Sequence, residues 1–436
     1  MTETQSSQDV STKLERIAKL AKDKPGVSLL TLAHHIDVDW LREAYRRTRK
    51  DGAAGVDGQG APQFAEQLED NLRSLLDRAK SGRYRAPPVR RVHIPKGDGK
   101  DTRPIGIPTF EDKVLQRAVA MVIGEVYEQE FYDFSYGFRP GRSAHQAVEA
   151  FQKALWRMRG GWVVEVDIKK FFDTVDHAHL RDILGQRIGD GVLLRLIGKW
   201  LNAGVVEGLV LSYPDGGTPQ GGVISPLLAN IYLHTVLDEW FVRVVKPALA
   251  RTAQMIRYAD DFVVAFESKR DAEQFLSILP KRFGDYGLTL HPDKTRMVRF
   301  RRPDRDGDGH PETFDLLGFT HHWGLSRNGN WVVKQRTAKD RFCRALRRLR
   351  EWCRWNRHRS VKEQHRALKK KLEGHYGYYG ISSNYRQIAH FFYQVRRAWH
   401  AALASRSQRP LPWKTMEKLL ERYPLPAPRI VHRYGT

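Results

Sequence analysis

Two adjacent carboxylates, Asp260 and Asp261, lie inside 254–266, where apolar, β-prone residues flank them on both sides. The pattern predicts a hairpin with both aspartates at its turn. Asp also favours turns through local hydrogen bonds, so the pair alone is ordinary turn chemistry. A third carboxylate changes that reading. The run Trp162-Val163-Val164-Glu165-Val166-Asp167-Ile168 predicts a strand ending at Asp167, followed by Lys169, Lys170, Phe171, Phe172 and Asp173. Two strands that each bring a carboxylate to one sheet edge can jointly hold two divalent cations. Ions about 3.5–4 Å apart can stabilise the attacking and leaving oxygens of a phosphoryl transfer.

The elements that must position these groups follow from periodicity. Residues 1–36 carry little pattern, and the first dozen are expected to fray. A helix with an acidic first turn spans 37–50, a glycine-rich turn follows at 51–58, and 64–80 has helical period. Residues 89–96 and 102–108 flank Gly97-Asp98-Gly99-Lys100, a hairpin with basic arms. A helix at 111–130 leads to Gly137-Phe138-Arg139-Pro140-Gly141-Arg142-Ser143, where Arg139 and Arg142 offer forks for phosphate, and to a helix at 143–159. Two short helices fill 178–201. Thr218-Pro219-Gln220-Gly221-Gly222 then opens a long apolar helix at 227–241, with Ser225-Pro226 as cap and first turn. That loop either leaves room for a base pair, with Gln220 bonding there, or simply starts the helix. Beyond the aspartates come a helix at 270–286, Lys294, a strand at 297–300, a loop at 301–313 and a strand from 314 to 319.

Three helices fill most of the C-terminal third. The first pairs an apolar side (Phe342, Leu346, Leu349, Trp352) with arginines, among them Arg344, Arg347 and Arg348. Ser360 and Glu363 form a capping box for the second, expected to stop near Gly374, and the third follows Asn384. The aromatic stretch 375–380 is either core packing or a nucleic-acid surface. The tail from Arg409 has five prolines and one short helix.

Asp-x-x-x-x-Phe at 167–172, Thr218-Pro219-Gln220-Gly221-Gly222 and Tyr258-Ala259-Asp260-Asp261, in this order, resemble three palm motifs of a reverse transcriptase. The stretch 137–143 and Leu316-Leu317-Gly318-Phe319 narrow the resemblance to the group II intron-encoded reverse transcriptase/maturase family, from about residue 40 to the C-terminus. The resemblance implies an α+β fold of right-hand polymerase type, with fingers and an antiparallel palm sheet followed by an α-helical thumb/maturase domain. It divides the chain into an N-terminal tail (1–36), N-terminal extension and fingers (37–160), palm (161–325), a three-helix thumb/maturase region (326–408) and a Pro-rich tail (409–436). It implies RNA-directed DNA polymerase activity with two Mg²⁺ ions, for which Mn²⁺ can substitute, held by Asp167, Asp260 and Asp261 with the Ile168 carbonyl. Lys96 and Arg103 would take the dNTP triphosphate, unless they are solvated hairpin charges. Phe172 would exclude a 2′-OH, Gln220 would meet the nucleotide, and Lys294 would stand near the leaving pyrophosphate. RNA template or intron RNA, a DNA primer or target and dNTPs are the implied partners; protein partners are not indicated. Three rivals share the motifs: a defence- or CRISPR-associated reverse transcriptase, a non-catalytic RNA-binding splicing maturase, and an RNA-dependent RNA polymerase.

Composition agrees with a nucleic-acid partner. Of 436 residues, 41% are hydrophobic, enough for two or three cored domains, and the net charge is +24. Residues 331–436 hold 26 Lys and Arg against 6 Asp and Glu, a density that suits a polyanion. Two cysteines, Cys343 and Cys353, are too few for a disulfide framework or for the zinc-type endonuclease that members of the resembled family often carry. No run is long and apolar enough to span a membrane and the N-terminus is polar, so a prokaryotic cytoplasmic, nucleic-acid-associated protein is expected.

Overall fold

The computed structural model describes residues 3–95, 102–208, 210–213, 217, 221–303, 311–406 and 411–434, with backbone alone at 3–7. It is a mixed α and β structure in two compact units, one from Met1–Ser143, Val166–Phe262 and Arg270–Arg296, the other from Ala144–Glu165, Val263–Lys269 and Met297–Thr436.

In the first unit the N-terminus is a helix, Glu3–Asp23, and not a frayed end. Val10, Ile17 and Ala21 are buried at seven- and four-residue spacings, so one face has a core to join. Val38–Arg47 follows, capped by Asp37, which accepts from Trp40 N at 2.9 Å. The fully buried Trp40 donates Nε1 to the Ala118 carbonyl at 3.0 Å, tying this helix to Phe110–Glu128. The basic hairpin exists: Val89–Pro95 pairs antiparallel with Thr102–Ile107. Its other edge pairs, parallel, with Val205–Glu207, which pairs with Val210–Ser212. Neither of those short strands was visible in the periodicity. The helix expected at 227–241 starts earlier, at Ser225, with Ile224 as its cap and Pro226 in its first turn. It then widens into π turns at His234–Glu239 and Phe241–Val245, so Ser225 does not cap it.

In the second unit Gly160–Val166 lies between Asp261–Phe266 and Arg296–Arg301. Gly160 (φ +78°) and Gly161 (φ +148°) permit this, since a Cβ there would run into the carbonyls of Phe300 and Phe266 respectively. The last predicted strand is two: Phe314–Leu316 turns through Leu317 and Gly318, both with positive φ, into Phe319–Leu325. Phe319–Leu325 also pairs with Trp331–Thr337, a strand not expected in the three-helix region 326–408. Helices Lys339–Trp355, Val361–Tyr379 and Tyr385–Ala404 then enclose a core of Leu349, Leu372, Tyr376, Phe391 and Trp399. The second helix passes through Gly374 and Gly377 to Tyr379. Helical glycine costs about 1 kcal/mol against alanine, less than burying Tyr376 and stacking His375 on Phe391 at 3.8 Å returns. The aromatic stretch 375–380 is thus largely packing.

Candidate active site

All the residues that build the aspartate site belong to the first unit. Asp167 directly follows the strand Gly160–Val166 and leads into backbone pairing with 289–291: the His291 N–H donates to the Asp167 carbonyl (2.8 Å), and the Lys169 N–H to the Thr289 carbonyl (2.8 Å). Ile168 is buried opposite Leu290. The chain then turns on itself, with Thr295 N donating to the His291 carbonyl at 3.0 Å. That turn carries Lys294 back, and its Nζ donates to Asp167 Oδ2 at 3.0 Å.

The second carboxylate is aimed by a buried network that sequence reasoning missed. The turn after Ala253–Tyr258 is Ala259-Asp260, with Ala259 in the left-handed region (φ 58°), and Asp261 opens the next strand as an exposed residue. Arg257, fully buried, donates to the Ala259 carbonyl at 3.1 Å. Its guanidinium is held by Asp238 (Nε to Oδ1, 2.8 Å) and by Asn230 Oδ1 (2.9 Å). Asn230 also donates Nδ2 to the Gly137 carbonyl at 2.6 Å. Gly137 presses against the turn so closely that a Cβ would collide with the Ala259 nitrogen. The run 134–137 is therefore a brace for the aspartate turn. An arginine next to a Tyr-Ala-Asp-Asp turn, and asparagine and aspartate eight apart on the preceding helix, were the available signals.

Burial pushes the Asp260 carboxyl above the usual carboxylate range. Its own backbone N–H and the Arg103 guanidinium oppose this, the Asp167 carboxylate adds to it, and Arg257 opposes it. Asp167 and Arg103 are thus both close enough for their charges to act on Asp260. Among the described residues no three His, Cys, Asp or Glu side chains form a ready-made metal cage. The donors are hard carboxylate oxygens, one of them destabilised as an anion, which suits a hard cation completing its shell with water and substrate oxygens.

A model of the family described as reverse transcriptase (RNA-dependent DNA polymerase) matches residues 94–321, which include all three aspartates. The chain belongs to the reverse transcriptase family. Protein YkfC of Escherichia coli is 35% identical over 66% of this chain and 84% of its own length. The group II intron-encoded protein LtrA of Lactococcus lactis is 28% identical over 78% of this chain and 68% of its own. Nuclear intron maturase 2, mitochondrial, of Arabidopsis thaliana is 25% identical over 44% and 30%. These relatives place this reverse transcriptase with the group II intron-encoded reverse transcriptases and maturases, and make it an RNA-directed DNA polymerase with nucleic-acid partners. Enzymes of the family use divalent metal ions.

The remaining predicted residues of this reverse transcriptase divide. Phe172 is half-buried beside the Phe171 ring (5.4 Å) on the turn Phe171–Thr174. Lys96 and Gln220 lie outside the described residues. Gly217 and Gly221 bracket the latter: Gly217 abuts the Phe172 carbonyl and Asp173, Gly221 the Gly106 carbonyl and Ile105. Arg139 is not a free fork. Its guanidinium is buried and fully engaged, by Glu128 (Nη2 to Oε1, 2.7 Å) and by the carbonyls of Tyr132 and Ser135 (both 2.7 Å). A carboxylate at a helix's end and two carbonyls close together needed its donors more than a phosphate did. Arg142 pairs with the exposed Asp133 at 2.6 Å. In the second unit Arg344 pairs with Asp340 at 3.0 Å, and Arg347 and Arg348 are exposed. No helix among the described residues is long and apolar enough to cross a membrane.

Proposed function

We propose that Asp167 and Asp260 hold two Mg²⁺ ions, with Asp261 and the Ile168 carbonyl beside them, for adding dNTPs to a primer on an RNA template. The charges of Asp167 and Arg103, both of which act on the Asp260 carboxyl, support this reading, since a carboxyl pair seeks a cation and a guanidinium seeks a phosphate. When bound, such ions would stabilise charge on the attacking and leaving oxygens; Mn²⁺ could replace them. Arg103, with Lys96, grips the triphosphate; Phe172 shuts out the 2′-OH; Gln220 meets the nucleotide. Lys294, within reach of Asp167, is the group to protonate leaving pyrophosphate. In this reading the basic hairpin belongs to the fingers, the aspartate strands to the palm, and the three C-terminal helices to a thumb/maturase domain that binds intron RNA for splicing and mobility. The work would be done in a prokaryotic cytoplasm.

The test is primer extension on an RNA template with dNTPs and Mg²⁺. Asp260→Ala is expected to lower extension by at least about a thousandfold, several kcal/mol of lost charge stabilisation, with RNA affinity retained. Extension at the wild-type rate overturns the assignment.

A further inference from the structure

We infer that Gln116 is a positioning residue for nucleotide binding, one that fixes the arm 221–224 against the hairpin strand carrying Arg103. The inference rests on the reading that Arg103 takes the incoming triphosphate, and adds the link that holds the neighbouring backbone in place. Gln116 is buried, only 4% exposed, on the helix Phe110–Glu128. Its Oε1 accepts from the Val223 N–H at 2.8 Å and, more weakly, from the Ile224 N–H at 3.5 Å. Other helices of this chain supply such contacts themselves: Asp37, Thr109, Asp176 and Asp190 each cap the helix that follows them. Ile224 stands at that position before Ser225–Leu233 and has no acceptor to give. Helix starts leave N–H groups in need of a partner, and a glutamine three residues into a helix often takes the one on the cap residue. Here the glutamine comes from another helix, 107 residues away in the chain from Val223.

The path of the chain gives this contact its meaning. Strand Thr102–Ile107 carries Arg103 and leads through Pro108 and Thr109 into Phe110–Glu128, so continuous backbone ties Gln116 to the hairpin. The arm that Gln116 grips returns to the same strand. A Cβ on Gly221 (φ +116°) would fall 2.5 Å from the Gly106 carbonyl oxygen and 2.6 Å from the Ile105 side chain. Strand, helix, glutamine and arm thus close a ring, and the Gln116 bond is the side-chain link that shuts it. Removing the acceptor strands the N–H of the buried Ile224 and lets the arm lift from the strand. Arg103, three residues from Gly106, then loses its fixed place beside Asp260, on whose carboxyl its charge acts. A looser triphosphate grip weakens capture of the nucleotide, which shows in KM and not in the chemical step.

The experiment measures KM and kcat for dTTP in extension of an oligo(dT) primer on poly(rA), using the full chain with Gln116→Met, Gln116→Glu or Gln116→Asn. Met keeps the unbranched shape without the acceptor, and Glu keeps an acceptor oxygen in either protonation state. Gln116→Met is expected to raise KM about tenfold with kcat within about twofold of wild type, the size of one lost hydrogen bond. Gln116→Glu is expected to bring KM back to within about twofold of wild type, because the bond is restored. Gln116→Asn, whose oxygen sits one methylene further back, is expected to fall between Met and wild type. A purely structural cap would lower the melting temperature of Gln116→Met and leave KM at the wild-type value, and that result overturns the inference. So does a fall in kcat with KM unchanged. If Gln116→Met gives no cooperative melt, Gln116→Asn decides alone: a raised KM supports the inference and a wild-type KM overturns it. Arg103→Gln separates this inference from the reading beneath it. If that variant leaves KM unchanged, the triphosphate assignment falls and the inference with it. If it raises KM while the Gln116 variants do not, only the inference falls.

Discussion

The aspartate turn and the arginine helix both work by charge, but they are built in opposite ways. Around Asp260 a buried arginine, a buried aspartate and an asparagine fix one carbonyl, and a glycine lets a second segment brace the turn. Along Lys339–Trp355 the arginines ride on an apolar stripe, with Arg344 paired to its helix neighbour Asp340. The difference follows from the tasks proposed for them. Holding an ion against developing charge demands carboxylates fixed to a fraction of an ångström, whereas counterion release needs only density of charge near a polyanion. A point site must therefore spend buried polar groups on geometry, and a surface site need not.

Asp238→Ala tests the buried half of this comparison most severely. It strands the Arg257 guanidinium in the core and is expected to lower unfolding stability by about 3–5 kcal/mol in urea titration. The same truncation at Asp340 should cost well under 1 kcal/mol. Similar losses at the two positions would erase the contrast.

A second check uses Asp112, whose carboxyl burial pushes up to about 7 against the Trp200 Nε1–H donor. The folded form therefore binds this proton more tightly than the unfolded chain does. Its contribution to stability is complete below about pH 4 and is lost as pH rises through about 7. Asp112→Asn should flatten that fall and stabilise the protein at pH 8, by up to about 4 kcal/mol. A pH profile of stability unchanged by the substitution would show that the carboxyl is not protonated in the fold.

Phe172→Ala removes bulk without adding attraction, and is expected to raise rNTP use relative to dNTP roughly tenfold in a competition assay. An unchanged ratio would mean that the ring serves only the core. The smallest effect is expected on the arginine helix. Replacing Arg344, Arg347 and Arg348 with Gln should lower the salt slope of RNA binding by about 2, with extension at low salt little changed. A wild-type slope would shift the RNA path to another face of the same helices.

Local pattern was enough for elements whose signal is local. The basic hairpin, the capping box at Ser360 and the helix after Asn384 all stand where periodicity and caps put them. Elements that depend on distant partners were not legible. Val205–Glu207 is a strand because Val89 offers it an edge, and Tyr376 is helical because a core waits for its ring. Arg139 misled for the same reason: a guanidinium beside glycines reads as a phosphate fork, and only the fold reveals Glu128 and two carbonyls waiting for it.

By itself the sequence determined the family, because the order Asp167, then Asp260-Asp261, within β-prone runs is written in the chain. It also determined that the last hundred residues carry surplus positive charge, since charge is additive and needs no fold. The tertiary structure alone decided which charges are available. Asp260 is lifted by burial, its turn is steadied by Arg257, Arg139 is consumed, and Arg350, Arg354, Arg357 and Arg397 line one groove. Desolvation and pairing depend on neighbours far away in sequence, and only packing brings those neighbours within bonding distance.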